Sequence, residues 1–366
     1  MNPKISVIMP SLDVGEYIRQ CMESVTSQSL EEIEIICIDA GSTDGTLEIL
    51  EEFAAKDSRI TLMHSDKKSY GYQMNQAIDA ARGEYIAIVE TDDYISKDML
   101  KSLYGLSKGS ADVVKSSFYH VTEDGTIRKD TGKSGLIEEG KAFTIEDFPA
   151  IIKSHPSIWA GIYRLDFLKA NGIRFIEEPG GGWVDNPFFY ETSFAAESIV
   201  YTDEAYYYYR EFNPTSSSNN LTDYTIPIKR MLDNLDVVDK YDKKSEEILR
   251  AVYIRAMAYL RNIKKREYFE ENLPEIRPLL HEMMLRIDKD YAERNFSLKN
   301  RIEYYRYLSP LMLDGNLDEN IIKENDFLYQ TIDELRAENE ELKNENRKLT
   351  GDEKQPSIKS KLKRIF

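Results

Sequence analysis

The sequence predicts an α/β protein with a mainly parallel N-terminal sheet, then a helical region and a C-terminal coiled coil. Three patterns carry this. Short β-branched runs alternate with helical periodicity through the first hundred residues. Strands separated by helices of about 10–15 residues imply a parallel sheet with right-handed crossovers and helices on both faces. From about Tyr224 to Ile287 the pattern is mostly helical, and from Asn325 onward Leu328, Leu335, Leu342 and Leu349 recur every seven residues.

The elements follow in order. Ile5–Met9 is a strand ending at Pro10, and Glu16–Ser27 a helix with Tyr17, Ile18, Cys21, Met22 and Val25 on one face. Ile33–Ile38 is a second strand, and Asp44–Lys56 a helix with Leu47, Leu50, Phe53 and Ala54 in phase. Ile60–His64, Gly71–Arg82 and Tyr85–Val89 read as strand, helix and strand, the last running into Glu90-Thr91-Asp92-Asp93 before a helix near Ser96. Beyond Asp112 the signals mix. Val113–Val114 and Ser117–Val121 suggest strand, Thr122–Gly125 a turn, Ile145–Lys153 a helix, and Tyr201 with Tyr206–Tyr209 an aromatic strand. Gly180–Gly182 reads as a hinge rather than a phosphate loop, since no helix start follows it. In the seven-residue repeat, Ile332, Asn339 and Asn346 take the other seam position; Leu at one core position and isolated Asn at the other is the pattern of a parallel two-stranded coil, so a homodimer is expected. The last stretch, Lys354–Phe366, is basic without an acidic residue, and Ile358, Leu362, Ile365 and Phe366 share one helical face. A basic amphipathic helix is suited to contact an anionic membrane surface.

The chain has 366 residues, 41% apolar and 11% aromatic, enough for packed cores. Its 48 Lys and Arg face 65 Asp and Glu, a net charge of −17. That argues against nucleic acid as a partner, because phosphate neutralisation needs surplus cations. Cys21 and Cys37 are too few for a disulfide framework. The N-terminal apolar run is too short for a signal peptide, and no apolar window is long enough to span a bilayer. The expected location is cytoplasmic, at the inner face of the cell membrane if the tail docks there.

Ligands of such sheets sit beyond the carboxyl ends of the strands. Ser11 and Asp13, Asp39 with Ser42, and Glu90, Asp92 and Asp93 all follow strand ends and would converge on one rim. Any one of these clusters is ordinary turn or cap chemistry; their convergence is not. No Gly-x-Gly-x-x-Gly follows the first strand, which excludes a dinucleotide oxidoreductase. Pro10–Gly15 also lacks the Gly-rich basic loop of a nucleotidyltransferase. The four histidines are scattered, with no zinc spacing.

The N-terminal third resembles the inverting glycosyltransferases of family 2, of the bacterial cell-surface polysaccharide type. The motifs are Val7–Asp13, Ile38–Thr46, Gly71 with Asn75, Ala81–Ile86 and Glu90–Asp93, over about residues 4–105, with looser likeness to about residue 220. The resemblance implies the GT-A fold and transfer of a hexosyl or N-acetylhexosaminyl group. The donor would be a nucleotide sugar, UDP-linked, and the acceptor a saccharide or lipid-linked saccharide. Together with the patterns above, it divides the chain into a nucleotide-sugar half (1–105), an acceptor half (106–222), a helical domain (223–320), the coiled coil (321–350) and the tail (351–366).

The resemblance places Pro10, Ser11, Asp13 and Asp39 around the base and ribose, with Gly71, Asn75 and Glu90 in the same nucleotide site. Asp92 and Asp93 would hold Mn²⁺ or Mg²⁺, which prefer carboxylate and phosphate oxygens. Glu90 stands where the family usually has Asp. Asp185, in Trp183-Val184-Asp185-Asn186-Pro187, matches the family's catalytic base, although Val184 replaces the usual flanking Glu. Glu191 is the fallback, Asn186 the expected helix cap, and Trp183 a candidate sugar-stacking ring. Arg210 would add a charge to the diphosphate. The departures at Asp13, Glu90 and Val184 leave a second expectation, a non-catalytic coiled-coil scaffold with a degenerate transferase domain.

Overall fold

The computed structural model describes residues 3–212 and 223–308. Contacts divide the chain into two compact units, Met1–Leu279 and Leu280–Phe366. The heptads and the basic tail lie outside the described residues.

The first unit is built on a mixed ten-stranded sheet. Its parallel part is β1 (Ile5–Ser11), β2 (Ile33–Asp39), β3 (Ile60–His64) and β4 (Tyr85–Ile88), in the order β3-β2-β1-β4. Every residue of β1 and β2 is buried, as expected of strands covered on both faces. Even Glu34 is inside. Its carboxylate accepts from the Ser6 hydroxyl at 2.6 Å, from the Arg82 amide at 2.7 Å and from the Arg82 guanidinium at 2.6 Å. Pro10 is tolerated in this central strand because β4 pairs only as far as Ile8, so no partner there needs the missing N–H.

The sheet then departs from the mainly parallel expectation. β9 (Gly161–Arg164) inserts antiparallel between β4 and β6 (Val113–Val121). β6 is one continuous strand, not two, and pairs parallel with the long, bulged β10 (Ile199–Arg210). Short strands β5 (Tyr94–Ile95), β7 (Ile127–Lys129) and β8 (Ala142–Phe143) complete the sheet, each antiparallel to β10 or β6. Four-residue β9 has too few positions for a period-2 signal. Gly161 lets it approach closely, since a Cβ there would lie 2.5 Å from the Val114 carbonyl oxygen.

Helices α1 (Ile18–Thr26), α2 (Thr46–Lys56), α3 (Tyr70–Ala80) and α4 (Met99–Ser107) cover the sheet. α1 buries Ile18, Cys21, Met22 and Val25, the face its spacing predicts. The helix expected over Ile145–Lys153 is only a 3₁₀ turn, Pro149–Lys153. Phe148, preceding proline, is held out of the helical region at φ −140°. After α5 (Leu165–Ala170) and α6 (Asp185–Ala195), α7 (Ile226–Tyr241) and α8 (Glu246–Lys264) form the helical layer of the same unit. The unit boundary falls within α9 (Leu273–Leu285), and α10 (Lys289–Asn295) and α11 (Leu298–Leu308) belong to the second unit.

Candidate active site

A cavity of about 900 Å³ opens beyond the carboxyl ends of β1 and β4. Its floor is Pro10, Ser11 and Leu12; one wall carries Glu90–Asp93, another Trp183, Asp185 and Asn186, and the last the α8 face of Arg255 and Tyr259. Residues distant in sequence are thus brought to one space at the strand ends, where ligands of such sheets bind.

Of the expected site residues, Pro10, Ser11, Glu90, Asp92, Asp93 and Asp185 line the cavity; Asp13, Asp39, Gly71, Asn75 and Arg210 do not. The buried Ser11 hydroxyl has no hydrogen-bond partner among the described residues. The residues outside the lining are occupied in building it. Asp13, at φ +50°, accepts the Thr43 amide at 2.8 Å and so ties the loops after β1 and β2. Asp39 accepts the amides of Gly41 at 2.8 Å and Ser42 at 3.1 Å within its own loop. Asn75 donates to the Phe175 carbonyl at 2.9 Å and accepts the Phe175 amide at 2.9 Å. Gly71 passes so close to this segment that a Cβ would lie 1.9 Å from the Ile176 carbonyl oxygen.

The acidic wall separates into different environments. Asp93 is only 1% exposed, accepting from the Arg210 amide at 2.8 Å and the Tyr207 hydroxyl at 2.9 Å. Burial pushes its carboxyl well above the ordinary range. Arg210 is buried too; its guanidinium donates to the Asp92 carbonyl and to Gln20, and packs over the rings of Tyr17 and Tyr94. Glu90 accepts from the Tyr70 hydroxyl at 2.6 Å. Burial, with Asp92 and Asp185 nearby, raises its carboxyl to about 8. Asp92 is half-buried on the cavity side.

Asp185 is the first residue of α6, so the expected cap at Asn186 lies one residue inside the helix. Asn186 instead works as a bridge. Its amide nitrogen donates to Asp185 Oδ1 at 3.0 Å, while its oxygen accepts from Tyr259 at 2.6 Å and from Arg255 at 3.2 Å. Burial raises the Asp185 carboxyl; the Asn186 bond and the Arg255 charge oppose the shift. The glycine triplet is pinned at one end, because Gly180 exchanges backbone bonds with Lys68 at 2.8 Å and Tyr70 at 2.9 Å. Trp183 beside it holds φ +53°, a conformation bulky residues rarely take outside functional loops. Glu191 points elsewhere, held by Lys240 at 2.9 Å and Tyr241 at 2.6 Å. Sequence patterns did not single out Tyr70, Arg255 or Tyr259. The only available signal was the four-residue spacing that puts Arg255 and Tyr259 on one face of α8.

The sequence model described as "Glycosyl transferase family 2" matches residues 6–170. The chain carries a family 2 glycosyltransferase domain over these residues. Among relatives of this glycosyltransferase, Glycosyltransferase GlyG of Streptococcus pneumoniae is 28% identical over 264 residues, 69% of this chain and 82% of the relative. Uncharacterized glycosyltransferase EpsJ of Bacillus subtilis is 32% identical over 246 residues, 64% of this chain and 66% of the relative. The crystal structure of S. aureus TarS 1–349 in complex with UDP-GlcNAc matches with a TM-score of 0.67 at 21% identity, over 86% of this chain and 92% of that one. The chain therefore has the GT-A fold of TarS, with a mixed sheet. No helix among its described residues is long and apolar enough to cross a membrane.

Proposed function

We propose that the chain is a metal-dependent, inverting glycosyltransferase using a UDP-linked sugar and a saccharide or lipid-linked acceptor, in cell-surface polysaccharide or glycolipid synthesis. One observation carries the reading: Asp92 and Asp185, 93 residues apart in sequence, line the same cavity above the Pro10–Leu12 floor. The uracil end of the donor fits the floor, where the unpartnered Ser11 hydroxyl offers a hydrogen bond.

Among the described residues no cluster of three or more His, Cys, Asp or Glu forms a metal cage. That suits Mg²⁺ or Mn²⁺, which is commonly held by one or two carboxylates together with substrate phosphates and water. Asp92 is the residue assigned to the ion, with Glu90 beside it. Asp93 is the less suitable ligand, because both its oxygens already serve the protein. When bound, the ion would stabilise negative charge on the departing diphosphate.

Asp185 acts as the base. It takes the proton of the acceptor hydroxyl as that oxygen bonds the anomeric carbon from the face opposite the diphosphate. The carbon–oxygen bond to UDP breaks in the same displacement, inverting the configuration. Asn186 holds the carboxylate in place, and Arg210 supports the Asp92 loop from behind rather than facing the cavity. Calorimetric titration of UDP, GDP, CDP and ADP, with and without Mn²⁺, tests the reading. Metal-dependent binding of UDP alone is expected; a folded protein that binds no nucleotide would refute it.

A further inference from the structure

The cavity has a second end that the donor chemistry leaves unused. Around α8 its wall carries Lys153, Arg255, Lys265 and Arg266, while a fifth cation, Lys68, lies beside Gly180. Arg255, Tyr259, Asn262 and Arg266 follow at helical spacing along α8 and its last turn, a stripe of roughly 16 Å at 1.5 Å per residue. The chain carries a net charge of −17, so four cations on one wall stand out.

Their pairing stands out too. Elsewhere on the helical layer cations meet carboxylates: Lys240 with Glu191 at 2.9 Å, Lys244 with Asp239 at 2.5 Å, Arg230 with Asp233 at 3.1 Å. Among the described residues, none of these four cations forms a salt bridge. Arg255 donates to the carbonyls of Lys153 at 3.0 Å and Ser154 at 2.9 Å and to Asn186, all neutral acceptors. Its Nε–H is buried with no acceptor among the described residues. A half-buried guanidinium bonded only to neutral acceptors, with a donor to spare, is suited to an anion. Lys153, Lys265 and Arg266 are exposed at the cavity, free to follow a longer chain.

The donor does not account for this end. Its diphosphate is assigned to Asp92, near the Pro10–Leu12 floor. Arg255 reaches Asp185 through Asn186, so this wall adjoins the base that meets the acceptor hydroxyl. Resting on the transferase reading above, we propose that the acceptor carries phosphate groups, and that Arg255, Lys153, Lys265 and Arg266 bind them while its hydroxyl meets Asp185. Both a polyol-phosphate polymer and a lipid-linked diphosphate offer this chemistry. Arg suits phosphate because its planar fork can bond two oxygens at once, and a cleft lined by one sign of charge concentrates such ligands.

The test is a calorimetric titration of the full chain, wild type and Lys265→Glu/Arg266→Glu. The probes are a short polyol-phosphate oligomer, a farnesyl-diphosphate-linked sugar in detergent and a neutral oligosaccharide of matched length. UDP with Mg²⁺ serves as a control in both proteins, and circular dichroism checks the fold. At least one phosphate probe should bind the wild type about tenfold or more tighter than the neutral one. Its affinity should fall with added salt and drop about tenfold in the variant, while UDP affinity holds. Which phosphate probe binds identifies the source. Equal affinity for the neutral probe, an unchanged affinity in the variant, or no binding of either phosphate probe by protein that binds UDP would overturn the proposal. Loss of UDP binding by the wild type would instead overturn the transferase reading on which it rests.

Discussion

Asn75 separates two roles that the sequence could not distinguish. The family resemblance implies a nucleotide contact; the structure puts the side chain 5% exposed, bonded to both backbone groups of Phe175. Replacing it with Ala removes one donor and one acceptor and leaves the Phe175 N–H and C=O buried without partners. Each orphaned group costs about 1–3 kcal/mol, so the total is about 2–4 kcal/mol after partial relaxation. The Asn75 amide also reaches the Glu177 carboxylate at 3.0 Å, which adds a smaller loss. Urea denaturation should show the midpoint falling with little change in slope. UDP affinity, measured well below that midpoint, should change by less than about threefold, under 1 kcal/mol. An unchanged urea midpoint with UDP binding abolished would refute the structural assignment and return Asn75 to the nucleotide site.

Other substitutions probe other parts of the site. Asp92→Ala should abolish the metal-dependent part of UDP binding by calorimetry, whereas Asp93→Ala should lower stability by about 2–4 kcal/mol, because the Tyr207 hydroxyl and Arg210 amide lose their acceptor. Asp185→Asn should cut kcat by about 10²–10⁴ with UDP affinity retained; comparable losses in both would argue against a base. Asp185 works deprotonated and burial raises its carboxyl, so activity should rise with pH through a point above the ordinary carboxylate range. Asn186→Leu removes a bond that favours the charged form and should move that rising limb to higher pH. Gly71→Ala drives a Cβ into the Ile176 carbonyl and should destabilise by about 1–3 kcal/mol or more in thermal denaturation.

The order of elements in the first hundred residues was legible because local rules govern it. β-branched runs bury on both faces of a parallel strand, and α1 shows its apolar face at helical spacing, so pattern and structure agree from Ile5 to Ile88. The same rules failed where local signal was short or opposed: β9 spans four residues, and Pro149 cut the expected helix to a single turn. Residue types at strand ends marked where chemistry would gather, and Asp92 and Asp185 do meet there.

What each carboxylate can do was decided only in three dimensions. Asp92 and Asp93 are adjacent and chemically identical in the sequence. Strand β10 closes over Asp93 with Tyr207 and the Arg210 amide, and Asp92 lines the cavity. Arg210, expected to carry charge to the ligand, is turned inward to hold the Asp92 loop, while Arg255, unmarked in the sequence, reaches the site from a helix 70 residues beyond Asp185. Sequence fixes which groups exist and the local elements that carry them. Burial, pairing and orientation are properties of the packed assembly, and they decide which of those groups meet the substrate.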